Sequence, residues 1–336
     1  MPTRRALLVG LAGSALAYAS AARDGSGPTG DLLGSLRWHL TEETDTLLDI
    51  AVANDVGILA ISAANPGVDP WVPGADRLIL LPTAHILPEG PREGILINKA
   101  ELGLYWFPKG RPVRRHAIGV GRDGYDTPVG ETRVVRKQKD PTWYPTPRTR
   151  AERPELPAVV PPGPDNPLGR HALYLGWPTY LIHGTNKPYG VGRRVSRGCI
   201  RMYPYAIERL YDEVAIGTRV TVVDQQVKAG WHEGELYLEA HPDLGQLEEL
   251  EENYSFTPRP GEVDEASLAL VRRKAGAALA RVDWDRVEAE LVARRGIPVR
   301  ITRPEAPAPP EDAWEEPVRP VPEAEIAPPV GLRGLY

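Results

Sequence analysis

Short segments rich in β-forming residues recur from residue 94 to residue 223, and this pattern constrains the fold more than any other feature. Turn residues such as Pro108-Lys109-Gly110 and Asp123-Gly124 separate the segments. Segments of this length and spacing predict an antiparallel, mainly-β unit. They are residues 95–98, 102–107, 116–120, 132–135, 172–175, 179–182 and 217–223.

A proline-dense, irregular stretch interrupts this pattern at residues 139–169. Irregular loops of that length inside a compact domain are commonly functional. We therefore predict that it forms a lid or a groove wall. A helix is predicted to begin at Pro204, because proline suits the first position of a helix.

The chain has one cysteine in 336 residues, Cys199, which lies in a glycine-containing loop sixteen positions after His183. His183 closes the predicted strand 179–182, so a base and a thiol are both presented at the ends of backbone elements. Gly184 and Gly198 leave room for the backbone to approach a substrate. These groups predict nucleophilic catalysis, with Cys199 as nucleophile and His183 as base or acid.

The reaction predicted from these groups begins when a Cys199 thiolate attacks an amide carbonyl. Backbone N–H groups around Gly198 and Cys199 would hold the oxyanion, and His183 would protonate the departing amine. The resulting thioester is then resolved by water or by a second amine.

The segment from residue 187 to residue 201 is basic and has no acidic residue, whereas the whole chain has a formal net charge of −5. A local basic cluster points to an anionic substrate and favours the thiolate, as does the predicted helix start just after Cys199. The overall charge gives no reason to expect a nucleic-acid partner. The basic residues are Lys187, Arg193, Arg194, Arg197 and Arg201.

The N-terminus has the pattern of an export signal over residues 1–22. Arg4 and Arg5 precede a mostly apolar stretch, and small residues at 19–22 suit cleavage. Export through the general or the twin-arginine route stays open. In an oxidising compartment, a solitary cysteine is expected to be inert and buried or kept for its chemistry.

Residues 36–82 combine two short helical patterns with flanking strands. Thr46 to Ala51, Asn65-Pro66-Gly67 and Pro73-Gly74 resemble LysM domains, which are βααβ modules that bind N-acetylglucosamine-containing glycans. Glu43-Thr44-Asp45 stands where that family usually has glycine-aspartate. A structural module without glycan binding is the alternative.

The motifs His183-Gly184-Thr185-Asn186 and Ser196 to Arg201 resemble the active-site signature of L,D-transpeptidases of the YkuD family, ErfK subgroup. Residues 94–224 share the resemblance through Thr127 to Gly130 and Asn166 to Gly169. It implies a mainly-β protein with added helices: a β-sandwich catalytic domain, preceded by the LysM-like module and followed by C-terminal helices.

Residue roles follow from this resemblance. Cys199 corresponds to the nucleophile and His183 to the acid–base group, while Ser196 and Gly198 shape the oxyanion site. Arg197 replaces a common histidine, whose backbone carbonyl is expected to orient the catalytic histidine. The predicted substrate-binding residues are Arg201, Arg197, Gly184, Thr185, Asn186, Tyr180 and Trp143.

The implied substrate is a peptidoglycan tetrapeptide stem in the periplasm, attacked at its third residue with release of D-alanine. The acceptor is an amine of another stem, giving a 3–3 cross-link, or of an outer-membrane protein. No metal or cofactor is expected, and the resemblance implies acylation by carbapenems. The alternatives are an L,D-carboxypeptidase or hydrolase with the same Cys-His site, and a noncatalytic cell-wall-binding protein.

The C-terminal part is predicted to be an extension over residues 225–300 and a proline-rich, acidic tail over 301–336. Within the extension, apolar alternation at 235–239 predicts a strand. Helical spacing predicts helices at 264–279 and 283–295, which are expected to dock on the catalytic domain. Histidines 39, 85, 116, 171, 232 and 241 show no ligand spacing that predicts zinc.

Overall fold

The structure, a computed structural model, describes residues 30–252 and 259–303. The predicted signal peptide and residues 304–336 of the predicted tail lie outside the described residues. The strands are β1 (Leu32–Gly34), β2 (Arg37–Leu40), β3 (Leu78–Leu81), β4 (Ala84–Ile86), β5 (Gly94–Asn98), β6 (Gly103–Phe107), β7 (Arg114–Gly121), β8 (Gly130–Lys139), β9 (His171–Leu175), β10 (Leu181–His183), β11 (Arg194–Ser196), β12 (Ile200–Met202), β13 (Arg219–Val223), β14 (Val227–His232), β15 (Glu235–Ala240) and β16 (Val299–Arg300). The α-helices are α1 (Leu47–Ala53), α2 (Ile58–Ala64), α3 (Pro147–Glu152), α4 (Pro204–Glu213), α5 (Leu244–Glu252), α6 (Glu265–Ala275) and α7 (Trp284–Ala293).

A nine-stranded sheet in the order β11-β7-β12-β10-β9-β8-β13-β5-β6 forms the central unit. β6 also pairs with β7, so the sheet closes on itself. The two layers expected of a β-sandwich are therefore parts of one hydrogen-bonded sheet. The mainly-β prediction is confirmed. The purely antiparallel prediction is wrong, because β5 pairs with β13, β10 with β12 and β7 with β11 in parallel. These partners are not consecutive in the chain, so no hairpin turn imposes an antiparallel direction on them.

A core of fully buried aliphatic residues fills the closed sheet. Ile95, Ile118 and Ile182 are each 0% exposed and belong to one contiguous cluster. Helix α4 begins at Pro204, as the sequence predicted, and buries Ile207 and its neighbours against this core. The core therefore fixes the strands on which the site residues lie.

Residues 36–82 fold as β2-α1-α2-β3, with β2 and β3 paired antiparallel, in the predicted strand-helix-helix-strand order. Thr46 caps α1 by accepting the Asp49 N–H at 3.1 Å. Leu47 belongs to the same buried cluster as the central sheet. Tyr203 donates to the Val56 carbonyl at 2.8 Å across the junction. This module is therefore packed as part of one core with the central sheet.

Helices α6 and α7 pack against the sheet β14-β15-β16, not on the central unit. Val271 and Leu291 join Leu236 and Leu238 in a separate buried cluster. The predicted docking of both helices on the catalytic domain is therefore wrong. Alternate residues of β15 form an apolar face, and α6 and α7, which follow in the chain, bury this face.

Within the described ranges, no single helix has the length and apolar content needed to cross a membrane. Helices α1 and α2 meet that test only when they are joined, as a pair bent by 115°.

The junction between module and central unit depends on close backbone approach at Gly192, which has φ +81°. A Cβ there would lie 2.3 Å from the Gly57 Cα, whereas a Cβ at Gly74, with φ +85°, would meet nothing within 4 Å. We expect Gly74→Ala to lower the free energy of unfolding by about 1 kcal/mol through backbone strain. Gly192→Ala should cost about 1–3 kcal/mol more because of the clash. Urea denaturation tests this, and equal losses would contradict the close approach.

Candidate active site

The candidate site is built on two neighbouring parallel strands, β10 and β12, in which Ile182 pairs with Ile200 and His183 with Arg201. Both isoleucines are fully buried in the core. Side chains alternate along a strand, so His183 and Arg201 point to the opposite face. Cys199 directly precedes β12 and, by the same alternation, lies on the face of His183.

That face opens into a cleft of about 1440 Å³. One wall is formed by residues 141–165, which lie within the stretch 139–169 predicted to be a lid or groove wall; this segment, here called the flap, contains α3. Gly184 and Gly198 are placed beside the cleft and do not line it. The sequence-predicted residues that line it are Trp143, Tyr180, His183, Thr185, Asn186, Ser196, Arg197, Cys199 and Arg201.

The imidazole of His183 is oriented by its own chain neighbour, because Nδ1 lies 2.5 Å from the Gly184 carbonyl oxygen. A carbonyl only accepts, so Nδ1 carries the proton and Nε2 is left as the acceptor. Burial, and then the charge of Arg201, lowers the pKa of His183 to about 4. The ring is therefore neutral near pH 7. The prediction that the Arg197 carbonyl orients the His183 ring is wrong, because the Gly184 carbonyl holds Nδ1. Gly184 is the next residue in the chain, so this contact needs no alignment of distant segments.

The thiol of Cys199 donates to the Thr179 carbonyl at 3.3 Å. Burial raises the pKa of this thiol, although the Leu181 N–H and the charge of Arg201 act in the opposite direction. The sequence predicted that the basic cluster and the helix start would favour the thiolate, whereas desolvation shifts the pKa of Cys199 in the other direction. Helix α4 begins at Pro204, which has no N–H to offer, and desolvation outweighs the nearby positive charge. The resting pair is a thiol beside a neutral imidazole.

The loop that carries Cys199 is held from both sides. Ser196 donates to the Cys199 carbonyl at 2.5 Å and accepts the Gly198 N–H at 3.1 Å. Thr127 donates to the Gly198 carbonyl at 2.8 Å. Gly198 has φ +98°, and a Cβ there would lie 2.7 Å from the Tyr180 ring. The Gly198 N–H, predicted to hold an oxyanion, is thus already engaged by Ser196.

Sequence comparison assigns this site to a family. Residues 92–222 match the L,D-transpeptidase catalytic domain, YkuD. The Escherichia coli K12 protein named "Probable L,D-transpeptidase ErfK/SrfK" is 40% identical over 271 residues, which is 79% of this chain and 84% of that protein. The chain belongs to the L,D-transpeptidase family. It is therefore an L,D-transpeptidase enzyme, which confirms the prediction made from His183 and Cys199.

Two further matches accompany this assignment. "Probable L,D-transpeptidase YcfS" of Escherichia coli K12 is 43% identical over 226 residues, covering 64% of this chain and 71% of that protein. A solved L,D-transpeptidase from Mycobacterium smegmatis is 21% identical, with a TM-score of 0.33 over 42% of this chain and 62% of that chain. That overlap is partial, and the assignment rests on the sequence relatives.

Three residues that shape this L,D-transpeptidase site were absent from the sequence-predicted set: Thr127, Tyr125 and Glu152. Thr127 lies in the Thr127 to Gly130 motif, which carried part of the family resemblance without a role for this residue. Tyr125 and Glu152 come close to the Cys199 loop only through tertiary contacts, and no local pattern marks them.

The predicted substrate-binding residues outside the strands make local hydrogen bonds, and one of them, Asn186, connects to the flap. Trp143 forms a two-hydrogen-bond bridge with Val160, at 2.9 Å in each direction. Asn186 donates to the Pro164 carbonyl at 3.1 Å. Thr185 closes its own loop by accepting the Lys187 N–H at 2.9 Å.

The predicted basic cluster is partly neutralised by the fold. Arg197 pairs with Glu152 at 2.8 Å and Arg194 with Asp126 at 3.1 Å. Arg201 has no ion pair among the described residues, and its buried Nε has no hydrogen-bond partner there. Among the described residues, seven Lys and Arg side chains and three Asp side chains line the cleft. The walls of the cleft therefore carry a net positive charge.

Outside the cleft, the ligand atoms of His85, Glu101 and Glu239 lie within 4.8 Å of one another in the protein interior. The Lys228 ammonium lies 2.7 Å from Glu101 and 3.1 Å from Glu239, so the protein's own cation fills the centre. Although burial alone would raise it, Lys228 and His241 hold the pKa of Glu239 well below its ordinary value. The cluster joins β4, β15 and the turn after β5 as an ion-pair network, and metal-free catalysis stays a prediction.

The raised pKa of Cys199 predicts a specific pH dependence of its alkylation. Because iodoacetamide reacts with the thiolate, its rate should still be rising with pH at the ordinary thiol pKa of about 8.5. Intact-mass measurement after timed labelling, from about pH 6 to about pH 10, records this rate at the protein's one cysteine. A plateau below neutral pH would instead indicate a preformed thiolate–imidazolium pair.

Thr127→Val removes one hydroxyl that serves two backbone groups, the Gly198 carbonyl and the Gly121 N–H. Leaving these buried groups unsatisfied should lower the free energy of unfolding by about 1–3 kcal/mol. Thr221→Val is the matched control, because the buried Thr221 hydroxyl has no hydrogen-bond partner among the described residues. We expect the control to be near neutral in urea denaturation. Equal effects would show that Thr127 does not hold the loop.

Proposed function

We propose that this L,D-transpeptidase forms a thioester between Cys199 and a peptidoglycan tetrapeptide stem, releases D-alanine and transfers the acyl group to an amine. The observation that carries the proposal is the placement of His183 at the end of β10 and of Cys199 just before the neighbouring parallel strand β12, facing one cleft. The His183 Nε2 is available to accept a proton there, since Nδ1 is committed to Gly184.

Acylation starts from the neutral pair. As Cys199 Sγ attacks the carbonyl of the third stem residue, His183 Nε2 takes the thiol proton. A C–S bond forms, and the π electrons of the carbonyl move to its oxygen. We assign the Cys199 N–H as the hydrogen-bond donor to this oxyanion, because the Gly198 N–H already binds Ser196. The imidazolium then protonates the departing D-alanine nitrogen as the C–N bond breaks.

Transfer reverses these proton movements. An incoming amine attacks the thioester, His183 takes a proton from it, and the Cys199 sulfur leaves as thiolate and is reprotonated. His183 is neutral before each half of the reaction, and it returns to the neutral form when it passes the proton on.

The net positive charge of the cleft walls supports an anionic peptide as the acyl donor. Arg201 lines the cleft beside His183 and Cys199, with a buried N–H that lacks a protein acceptor in the described part. A buried donor of this kind gains most from a charged acceptor, so Arg201 is assigned to a carboxylate of the stem.

The setting proposed for this reaction is the periplasm, reached through the signal at residues 1–22. The β2-α1-α2-β3 module is proposed to be a LysM domain that binds glycan strands of peptidoglycan, and its shared core with the central sheet would hold that glycan at a fixed position relative to Cys199. The acceptor amine belongs to another stem or to a lysine of an outer-membrane protein.

Mass spectrometry of products formed from purified tetrapeptide muropeptides tests the proposal. We expect dimers linked 3–3 and free D-alanine from the wild-type protein, and a loss of at least about a thousand-fold in rate with Cys199→Ser. A carbapenem should add one covalent mass to the wild type and none to the variant. Tripeptide products alone would indicate an L,D-carboxypeptidase, and no turnover by the wild type would contradict both activities.

A further inference from the structure

The flap is tied to the loop that carries Cys199 through one carboxylate, Glu152, at the end of α3. Its side chain lies 2.8 Å from Arg197 Nη2 and 3.7 Å from Arg122 Nη2, and within its own helix 3.2 Å from Arg148 Nε. Arg197 is two residues before Cys199. A single flap residue therefore bridges three guanidinium groups at the edge of the cleft.

The same three arginines surround one aromatic ring. The guanidinium carbons of Arg148, Arg122 and Arg197 lie 3.9, 4.9 and 5.4 Å from the centre of the Tyr125 ring. Stacking on an aromatic face favours a cation and restrains its plane. The guanidinium groups are thus gathered before any ligand arrives, and three positive charges face one carboxylate.

One donor of this group is still without an acceptor. Arg197 Nη1 is buried and has no hydrogen-bond partner among the described residues, although Nη2 of the same side chain binds Glu152. A guanidinium presents its donors as a fork that fits two carboxylate oxygens. Glu152 therefore fills only part of what Arg197 offers.

We propose that Glu152 is an internal stand-in for a substrate carboxylate, which holds the flap against Arg197 and Arg122 until a carboxylate-bearing peptide displaces it. The arginine group around Tyr125 is then an anion-reading site, and its occupancy by substrate is coupled to flap opening. The identity of the ligand as a stem peptide rests on the proposed function, whereas the Glu152 contact does not.

Alkylation of Cys199 by iodoacetamide tests the flap contact without any substrate. Glu152→Gln should raise the rate about two- to five-fold, since a partly exposed ion pair shifts an equilibrium by about that factor. Glu155→Gln is the matched control: Glu155 is in the same flap and pairs with Arg153 at 2.8 Å, and within the described residues no hydrogen bond or ion pair joins it to the Cys199 loop. Equal rates in the two variants would overturn the proposal.

Hydrogen exchange provides a second reading of the same contact. Amides of residues 148–152 should exchange faster in Glu152→Gln than in Glu155→Gln, while amides of α1 and α2 stay unchanged in both. Faster exchange in all three helices would indicate general destabilisation and would contradict a local contact.

Equilibrium binding to the Cys199→Ser protein tests the carboxylate. The probes are a tetrapeptide stem with the side-chain carboxylate of its third residue free and the same stem with that group amidated. The free stem should bind about ten-fold more tightly. Adding Glu152→Gln should tighten binding of the free stem about two- to five-fold and leave the amidated stem unchanged. Equal affinities for the two stems would overturn the anion site.

These measurements separate failure of the proposal from failure of the proposed function. A wild-type protein that releases no D-alanine would contradict the transpeptidase reaction. Alkylation, exchange and binding do not require turnover, so they would still decide whether Glu152 competes with a carboxylate at Arg197.

Discussion

The parallel pairing of β10 with β12 is the constraint on which the site depends. Burial of Ile182 and Ile200 in the core forces His183 and Arg201 to the other face, beside Cys199. A shift of one residue in this register would turn His183 into the core and an isoleucine into the cleft. The geometry of catalysis is therefore secured by the hydrophobic effect acting on residues that take no part in the chemistry.

Desolvation sets the chemical state of the pair. It raises the pKa of Cys199 and lowers the pKa of His183 to about 4, so both groups rest uncharged. A neutral imidazole can accept a proton, and a protonated thiol is less open to oxidation than a thiolate. In the proposed reaction, activation coincides with substrate attack, when the proton moves from sulfur to nitrogen.

The surrounding structure holds this pair through hydrogen bonds of small polar residues and through charges. Ser196 and Thr127 fix the carbonyls of the Cys199 loop. The flap is anchored at its base by Asn166, which donates to the Pro141 carbonyl at 2.8 Å, and at its far side by Glu152. The base is buried and the far contact is partly exposed, so the far contact is the weaker of the two.

Much of this protein was determined by its sequence alone, because the relevant signals are local: alternating β segments, Pro204 at a helix start, and the glycine-flanked motifs around His183 and Cys199. Tertiary structure decided what distant residues do to one another. It made part of the sheet parallel and packed α6 and α7 on β15. It also brought Glu152 to Arg197, across 45 positions of chain. Burial and long-range charge depend on which segments meet, and no local pattern encodes that meeting.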